Sequence, residues 1–211
     1  MKKNIWIAIP TYWTHPSTTP GEETVIFDHP TPLDENGTIE RLFESLEKIE
    51  GNFKIVVVAA AAHESINNQV HSKVESLIKR FTSKFDIYLA SPSNLGILKK
   101  YFPELELNLN SYGNIRNVQL LLPFLCGASL VVGIDDDEII TEKYYLDRVL
   151  DTFNTETNNE TVGGMAGPYY DKNGEYRIHG AENLKHESNI FIRKNYYMNE
   201  ALKQYTAPGK V

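Results

Sequence analysis

Four acidic residues in a row, Asp135-Asp136-Asp137-Glu138, follow directly on the apolar run Val131-Val132-Gly133-Ile134. An apolar strand that ends in clustered carboxylates sets charge at the mouth of an α/β sheet, where open sheets bind their ligands. Such carboxylates repel one another unless a cation offsets their charge. Oxygen-only ligands select hard ions, here Mg²⁺ or Mn²⁺, with nucleotide phosphates completing the shell. The competing reading is a solvated acidic turn ahead of a helix that starts near Thr141.

Arg116 is the best cation for a diphosphate, because a guanidinium grips phosphate with two parallel hydrogen bonds. Its alternative is a surface ion pair on a helix. Asn117 is a candidate for the same cleft, against an ordinary helix-surface role. Pro10, Thr11 and Tyr12 follow a strand end, where they are candidates to contact base or ribose or form a plain loop. His15, His29, His63 and His71 are scattered and have no zinc-ligand spacing. Phosphate-loop, dinucleotide and nucleophile-elbow glycine motifs are missing, which weakens those classes.

The elements that must position these residues alternate. Ile5–Ile9 reads as a strand stopped by Pro10, and a long loop runs from Thr11 to Gly37. Thr38 reads as the N-cap of a helix whose apolar residues, Ile39, Leu42, Phe43, Leu46 and Ile49, recur at helical spacing up to Gly51. Phe53–Ala59 suits a strand buried on both faces, as in a parallel sheet. Ile66–Phe81 predicts a helix and Phe85–Ala90 a strand. Asn114–Leu125 predicts a helix that Pro123 should shorten or kink. Ala128–Ile134 predicts the strand leading into the acidic run, and Thr141–Phe153 a helix capped by Thr141. Thr152–Thr161 is polar loop, and from Val162 short strands and turns follow, with a hairpin turn at Asp171-Lys172-Asn173-Gly174. The pattern predicts an α/β fold with a mostly parallel sheet.

With 211 residues, 41% of them hydrophobic, the chain can bury one sizeable core. Its net charge of −7 and lack of a basic stripe argue against nucleic acid as partner. The single cysteine, Cys126, cannot form an intrachain disulfide and reads as a core thiol. The apolar run behind the basic start ends at Pro10, too short for a signal peptide or a membrane span. The expectation is a soluble cytoplasmic chain with no supported membrane contact.

Several segments together resemble family 2 of the nucleotide-sugar glycosyltransferases, which have the GT-A fold. The strand followed by Asp-x-Asp is similar to that family's metal motif. Ile7-Ala8-Ile9-Pro10-Thr11-Tyr12 resembles its opening strand and nucleotide loop. Asn94-Leu95-Gly96 and then Gly113-Asn114-Ile115-Arg116-Asn117 resemble its Asn-x-Gly and Ala-Arg-Asn elements. Gly163 to Gly167, Asp171 to Gly174 and Ser188 to Lys194 resemble its acceptor-side strands and hydrophobic-Arg segment.

The resemblance implies a GT-A-like, Rossmann-like sheet flanked by helices, with a smaller acceptor-side set of strands. It implies one domain, with residues 1–140 as the nucleotide-sugar half and 141–211 as the acceptor half. The implied activity is hexosyl transfer from a nucleoside diphosphate sugar to an acceptor hydroxyl, with Mn²⁺ or Mg²⁺ held by Asp135 and Asp137. Asp135 and Asp136, with Pro10, Thr11, Tyr12, Arg116 and Asn117, are the implied nucleotide contacts. On the expected acceptor side lie His179, Glu182 and His186: Glu182 is the candidate general base, and His186 a candidate to complete the metal shell. Inverting chemistry is the expected version, with retaining chemistry open.

The chain departs from the family at three places. Ala59-Ala60-Ala61-Ala62-His63-Glu64 stands where an acidic residue commonly reads the base, Ile97–Tyr112 reads as an insertion, and Val211 comes soon after the hydrophobic-Arg segment, so that the chain is truncated, or the base sits elsewhere, or the enzyme is of the retaining kind. Rival readings are a nucleotidyltransferase, whose glycine-rich loop is not seen, and a non-catalytic sugar-nucleotide binder.

Overall fold

Pro10 does not stop the first strand. In the computed structural model β1 runs from Ile5 to Thr14, straight through the proline. Hydrogen bonding explains the tolerance. Odd-numbered Trp13 gives its carbonyl to Ala62 on one side, whereas even-numbered Ala8 and Thr14 give theirs to Ile134 and Leu33 on the other. Pro10 therefore turns its missing N–H to that second side, where the neighbouring strand pairs only as far as Ala8. A proline is tolerated in a strand where no ladder bond is lost.

The structure describes residues 3–105, 107–153, 156–157, 160–161, 163–167, 170, 174–175 and 178–205. After β1 come β2 (Thr31–Pro32), α1 (Ile39–Leu46), β3 (Phe53–Ala61), α2 (Asn67–Ile78), β4 (Asp86–Ala90), α3 (Pro92–Leu95), α4 (Tyr112–Leu125), β5 (Leu130–Gly133), α5 (Tyr145–Phe153), β6 (Glu156–Thr157), β7 (Glu160–Thr161) and α6 (Ile190–Tyr205). The chain divides into two compact units, Met1–Asp151 and Thr152–Val211.

The first unit holds an all-parallel sheet flanked by helices, a Rossmann-like α/β arrangement. β3 lies beside β1 and β4 beside β3, while β5 and the short β2 share the opposite edge of β1. The chain thus steps outward from β1 to β4, then returns to the far side of β1. That reversal is a topological switch point, and in open α/β sheets ligands bind beside such a point, here at the carboxyl ends of β1 and β5.

Successive strand residues point to opposite faces. Trp6 and Ala8 of β1, with Val56, Val58 and Ala60 of β3, pack on Ile115 and Val118 of α4. The segment between Ile97 and Tyr112 helps to cover this face, with Leu107 and Leu109 buried in the same cluster. Ala60, Ala62 and Phe27 are buried in the same cluster. Helix α4 begins with Ser111 accepting from the Asn114 amide at 3.2 Å. It runs two residues past Pro123 to Leu125, and Gly127, just after the Cys126 cap, has a φ of 77° that suits glycine. Asn4 donates to the carbonyls of Cys126 and Gly127 at that end. Cys126 itself is exposed, not a core thiol.

The helix starts are less regular than expected. Thr38 precedes α1 but makes no side-chain capping bond. Helix α5 begins at Tyr145, so Thr141 does not cap it.

In the second unit a helix replaces the expected strand at Asn189–Arg193. Asn189 caps α6, accepting from the Phe191 amide at 3.0 Å and, through its carbonyl, from the Arg193 amide at 2.9 Å. Short apolar runs such as Ile190-Phe191-Ile192 fit either element, and the cap decides for the helix. Asn199 on α6 is buried and bonds both the amide and the carbonyl of Ile178. Strands β6 and β7 form an antiparallel pair of two residues each. Of the proposed hairpin turn, Asp171, Lys172 and Asn173 lie outside the described residues. No described helix is long and apolar enough to cross a membrane.

Candidate functional site

Strand β5 delivers the acidic run to the switch point. The Ile134 amide still bonds Ala8 of β1, and the chain then turns. The turn closes on itself: the Glu138 amide donates to the Asp135 carbonyl at 3.1 Å, and the Asp135 amide to the Glu138 carboxylate at 3.2 Å.

Three other elements hold the turn. From β1, the buried Thr11 hydroxyl donates to Asp136 at 2.6 Å. From α4, Arg116 bonds Asp135 at 2.8 Å and Gln119 at 3.2 Å, and the buried Gln119 amide donates to the Ala8 carbonyl. From α1, Arg41 donates to the Asp137 carbonyl at 3.0 Å, and Ser45 accepts from the Ile140 amide. The Asp137 carboxylate remains exposed.

These carboxylates are electrostatically unequal. Burial pushes Asp136 up to about 6; the Thr11 bond opposes this, and the charges of Asp137 and Asp135 add to it. Burial also raises Glu138. Tyr12, beside the turn, is pushed up to about 12, chiefly by burial, with Arg116 pulling the other way. An acidic patch this crowded favours a cation or a proton.

The Arg116–Asp135 pair is a loose one. The two side chains are 49% and 45% exposed, and exposed pairs are worth about 1 kcal/mol or less. A charge-assisted bond to phosphate is worth more, about 1.5–3 kcal/mol, so the guanidinium is free to exchange partners. If the site takes a nucleoside diphosphate, as the resemblance implies, replacing Arg116 by Ala is expected to weaken that binding by about 1.5 kcal/mol, roughly tenfold. Calorimetry with the free nucleoside should show a much smaller loss. Equal losses for both ligands would make Arg116 structural.

The structure thus brings Thr11, Tyr12, Arg116, Asp135, Asp136 and Asp137 to one end of the sheet. Pro10 lies within β1 just before them. Asn117 is exposed and lines a different feature, an apolar groove of about 590 Å³ with Leu120, Leu121, Phe124 and Val131. Asn94, in the Asn-x-Gly piece, is a structural cap that bonds the Leu89 carbonyl and the Ser91 amide. His179, Glu182 and His186 belong to the second unit; Glu182 lies in the single turn Ala181–Leu184, and His179 pairs with Glu175 at 2.6 Å. Among the described residues, no three His, Cys, Asp or Glu side chains converge as a metal-holding group.

Comparison with known proteins brings no relative. No family model matches the chain, and no match was found among curated proteins or solved structures.

Sequence reasoning missed Arg41, Ser45, Gln119 and the aromatic pair Phe27 and Tyr112. Gln119 carried a signal, since it lies three residues after Arg116 on one helix and such residues are neighbours. Arg41 carried none, because 96 residues separate it from Asp137.

Proposed function

We propose that this chain is a metal-dependent glycosyltransferase domain of the GT-A type, moving a sugar from a nucleoside diphosphate sugar to an acceptor hydroxyl. One observation carries the reading: the Thr11–Asp136 bond ties the acidic run after β5 to the carboxyl end of β1, at the switch point of the sheet. Phosphate and base contacts are then within reach of one crevice, with Arg116 supplying positive charge.

The donor set suits a hard divalent cation. On the acidic turn it is all carboxylate oxygen, and its charges repel one another. Asp137 and Asp135 would hold Mn²⁺ or Mg²⁺, with Asp136 kept in place by Thr11. Such an ion offsets the negative charge that develops on a departing diphosphate. Arg116 would leave Asp135 to bind the diphosphate, and Arg41 would keep the turn in register through the Asp137 carbonyl. Glu182 and His186, on the second unit, keep the roles of candidate base and candidate ligand that the resemblance implies, and nothing in the geometry of the first unit bears on them.

Calorimetry of the whole chain with a panel of nucleoside diphosphates, with and without Mn²⁺, tests this reading. Binding should require the ion, and a nucleotide-sugar donor should slowly lose its sugar to water. Ion-dependent binding without hydrolysis would favour a non-catalytic binder. Pyrophosphate release from a nucleoside triphosphate and a sugar phosphate would favour a nucleotidyltransferase.

A further inference from the structure

The long segment between β1 and α1 folds back over the carboxyl ends of the strands. Thr24 and Val25 both donate their amides to the Ala62 carbonyl at 2.9 Å. Asp28 donates its amide to the Tyr112 hydroxyl. Between these two clips only Phe27 is buried: it is 5% exposed, whereas its neighbour Ile26 is 83% exposed. The Phe27 ring lies 4.9 Å from Tyr12 and 5.6 Å from Tyr112, and those two rings are 5.2 Å apart. One buried aromatic side chain, on a largely exposed strap, therefore packs against the touching pair of rings Tyr12 and Tyr112 beside the acidic turn.

Two features mark this closed arrangement as removable. His29, next to the second clip, has a φ of 52°, a left-handed conformation that is uncommon outside glycine. The Tyr12 hydroxyl is fully buried and has no hydrogen-bond partner among the described residues. A buried polar group without a partner is rare in a settled core. Segments with few buried contacts and exposed backbone open at low cost.

We propose that Phe27 is a plug: its ring covers the surface of the touching Tyr12–Tyr112 pair that a planar heterocycle, the base of a nucleoside diphosphate, takes once the strap Thr24–His29 lifts. Base and Phe27 compete for the same aromatic surface, and aromatic pairs at these spacings attract beyond their buried area. Lifting the strap also opens the Tyr12 hydroxyl to a polar edge of the base. The inference rests on the nucleotide reading above and adds a gate to it.

Two measurements test it. Hydrogen exchange of the unmodified chain at the Val25 and Asp28 amides should speed up when a nucleoside diphosphate saturates it with Mn²⁺. In calorimetry, Phe27→Ala should bind the same nucleoside diphosphate about tenfold more tightly, since the competing ring is gone, while Tyr112→Leu should bind it more weakly. Binding to the unmodified chain with slower or unchanged exchange at both amides overturns the plug and leaves the nucleotide reading standing. Binding by Phe27→Ala that equals or falls below that of the unmodified chain does the same. No nucleoside diphosphate binding in any of the three chains overturns both.

Discussion

Asp137→Ala is expected to abolish Mn²⁺-dependent nucleotide binding while leaving the fold in place. The two halves of that expectation have separate causes. The carboxylate is exposed and is the member of the run least committed to the protein, so it is the one most available to an ion. The turn does not depend on it, because Arg41 holds the Asp137 carbonyl and the Asp135–Glu138 bonds close the loop. Exposed substitutions without such roles change stability by about 0.5 kcal/mol or less. Calorimetry with Mn²⁺ and nucleoside diphosphates, beside a thermal melt, checks both halves. Unchanged affinity would remove the metal from the proposal. A large drop in melting temperature would instead make Asp137 a structural residue.

The site was legible where a local pattern determines geometry. An apolar strand ending in carboxylates is visible in Val131 to Asp137; β5 is only partly buried, not the buried strand expected, but the structure places the run at the sheet's switch point. Strand–helix alternation through β5 was equally visible: β1 and β3, buried on both faces, read as continuous apolar runs, and the partly exposed β4 and β5 were still apolar enough to be seen. Pro10 misled the reading of β1, since proline's cost in a strand depends on which side lacks a partner, and that is a property of the sheet. The Ile190-Phe191-Ile192 run misled in the other direction. Its character was set by the Asn189 cap, not by apolar content. Arg41 and Phe27 were beyond reach for a third reason: each meets the site through chain topology, from a helix and a loop whose own sequences carry no sign of it.

Asp136→Asn is expected to stabilise the metal-free chain at neutral pH by about 2–3 kcal/mol. Asp136 sits in the fold with its carboxyl pushed up to about 6 from an ordinary value of 3.8, mainly by burial. A shift of one unit corresponds to about 1.4 kcal/mol. Between pH 3.8 and about 6 the folded chain holds more protons at this site than the unfolded chain. Stability must therefore fall as pH rises through that window. Below it the acid is neutral in both states, and Asp and Asn should be nearly equivalent. Above it the ionised Asp136 opposes folding and Asn does not, while the Asn carbonyl still accepts from Thr11. Denaturant unfolding of both chains from pH 3 to 8 in excess chelator reads the difference directly, because other carboxylates cancel between them. The curves should separate through the window and run parallel above it. Mn²⁺ should then narrow the gap at pH 7, since a cation beside Asp135 and Asp137 favours the ionised Asp136 and has less to offset in the Asn chain. A gap independent of pH would mean that Asp136 titrates alike in the folded and unfolded chains. Burial would then not control its charge.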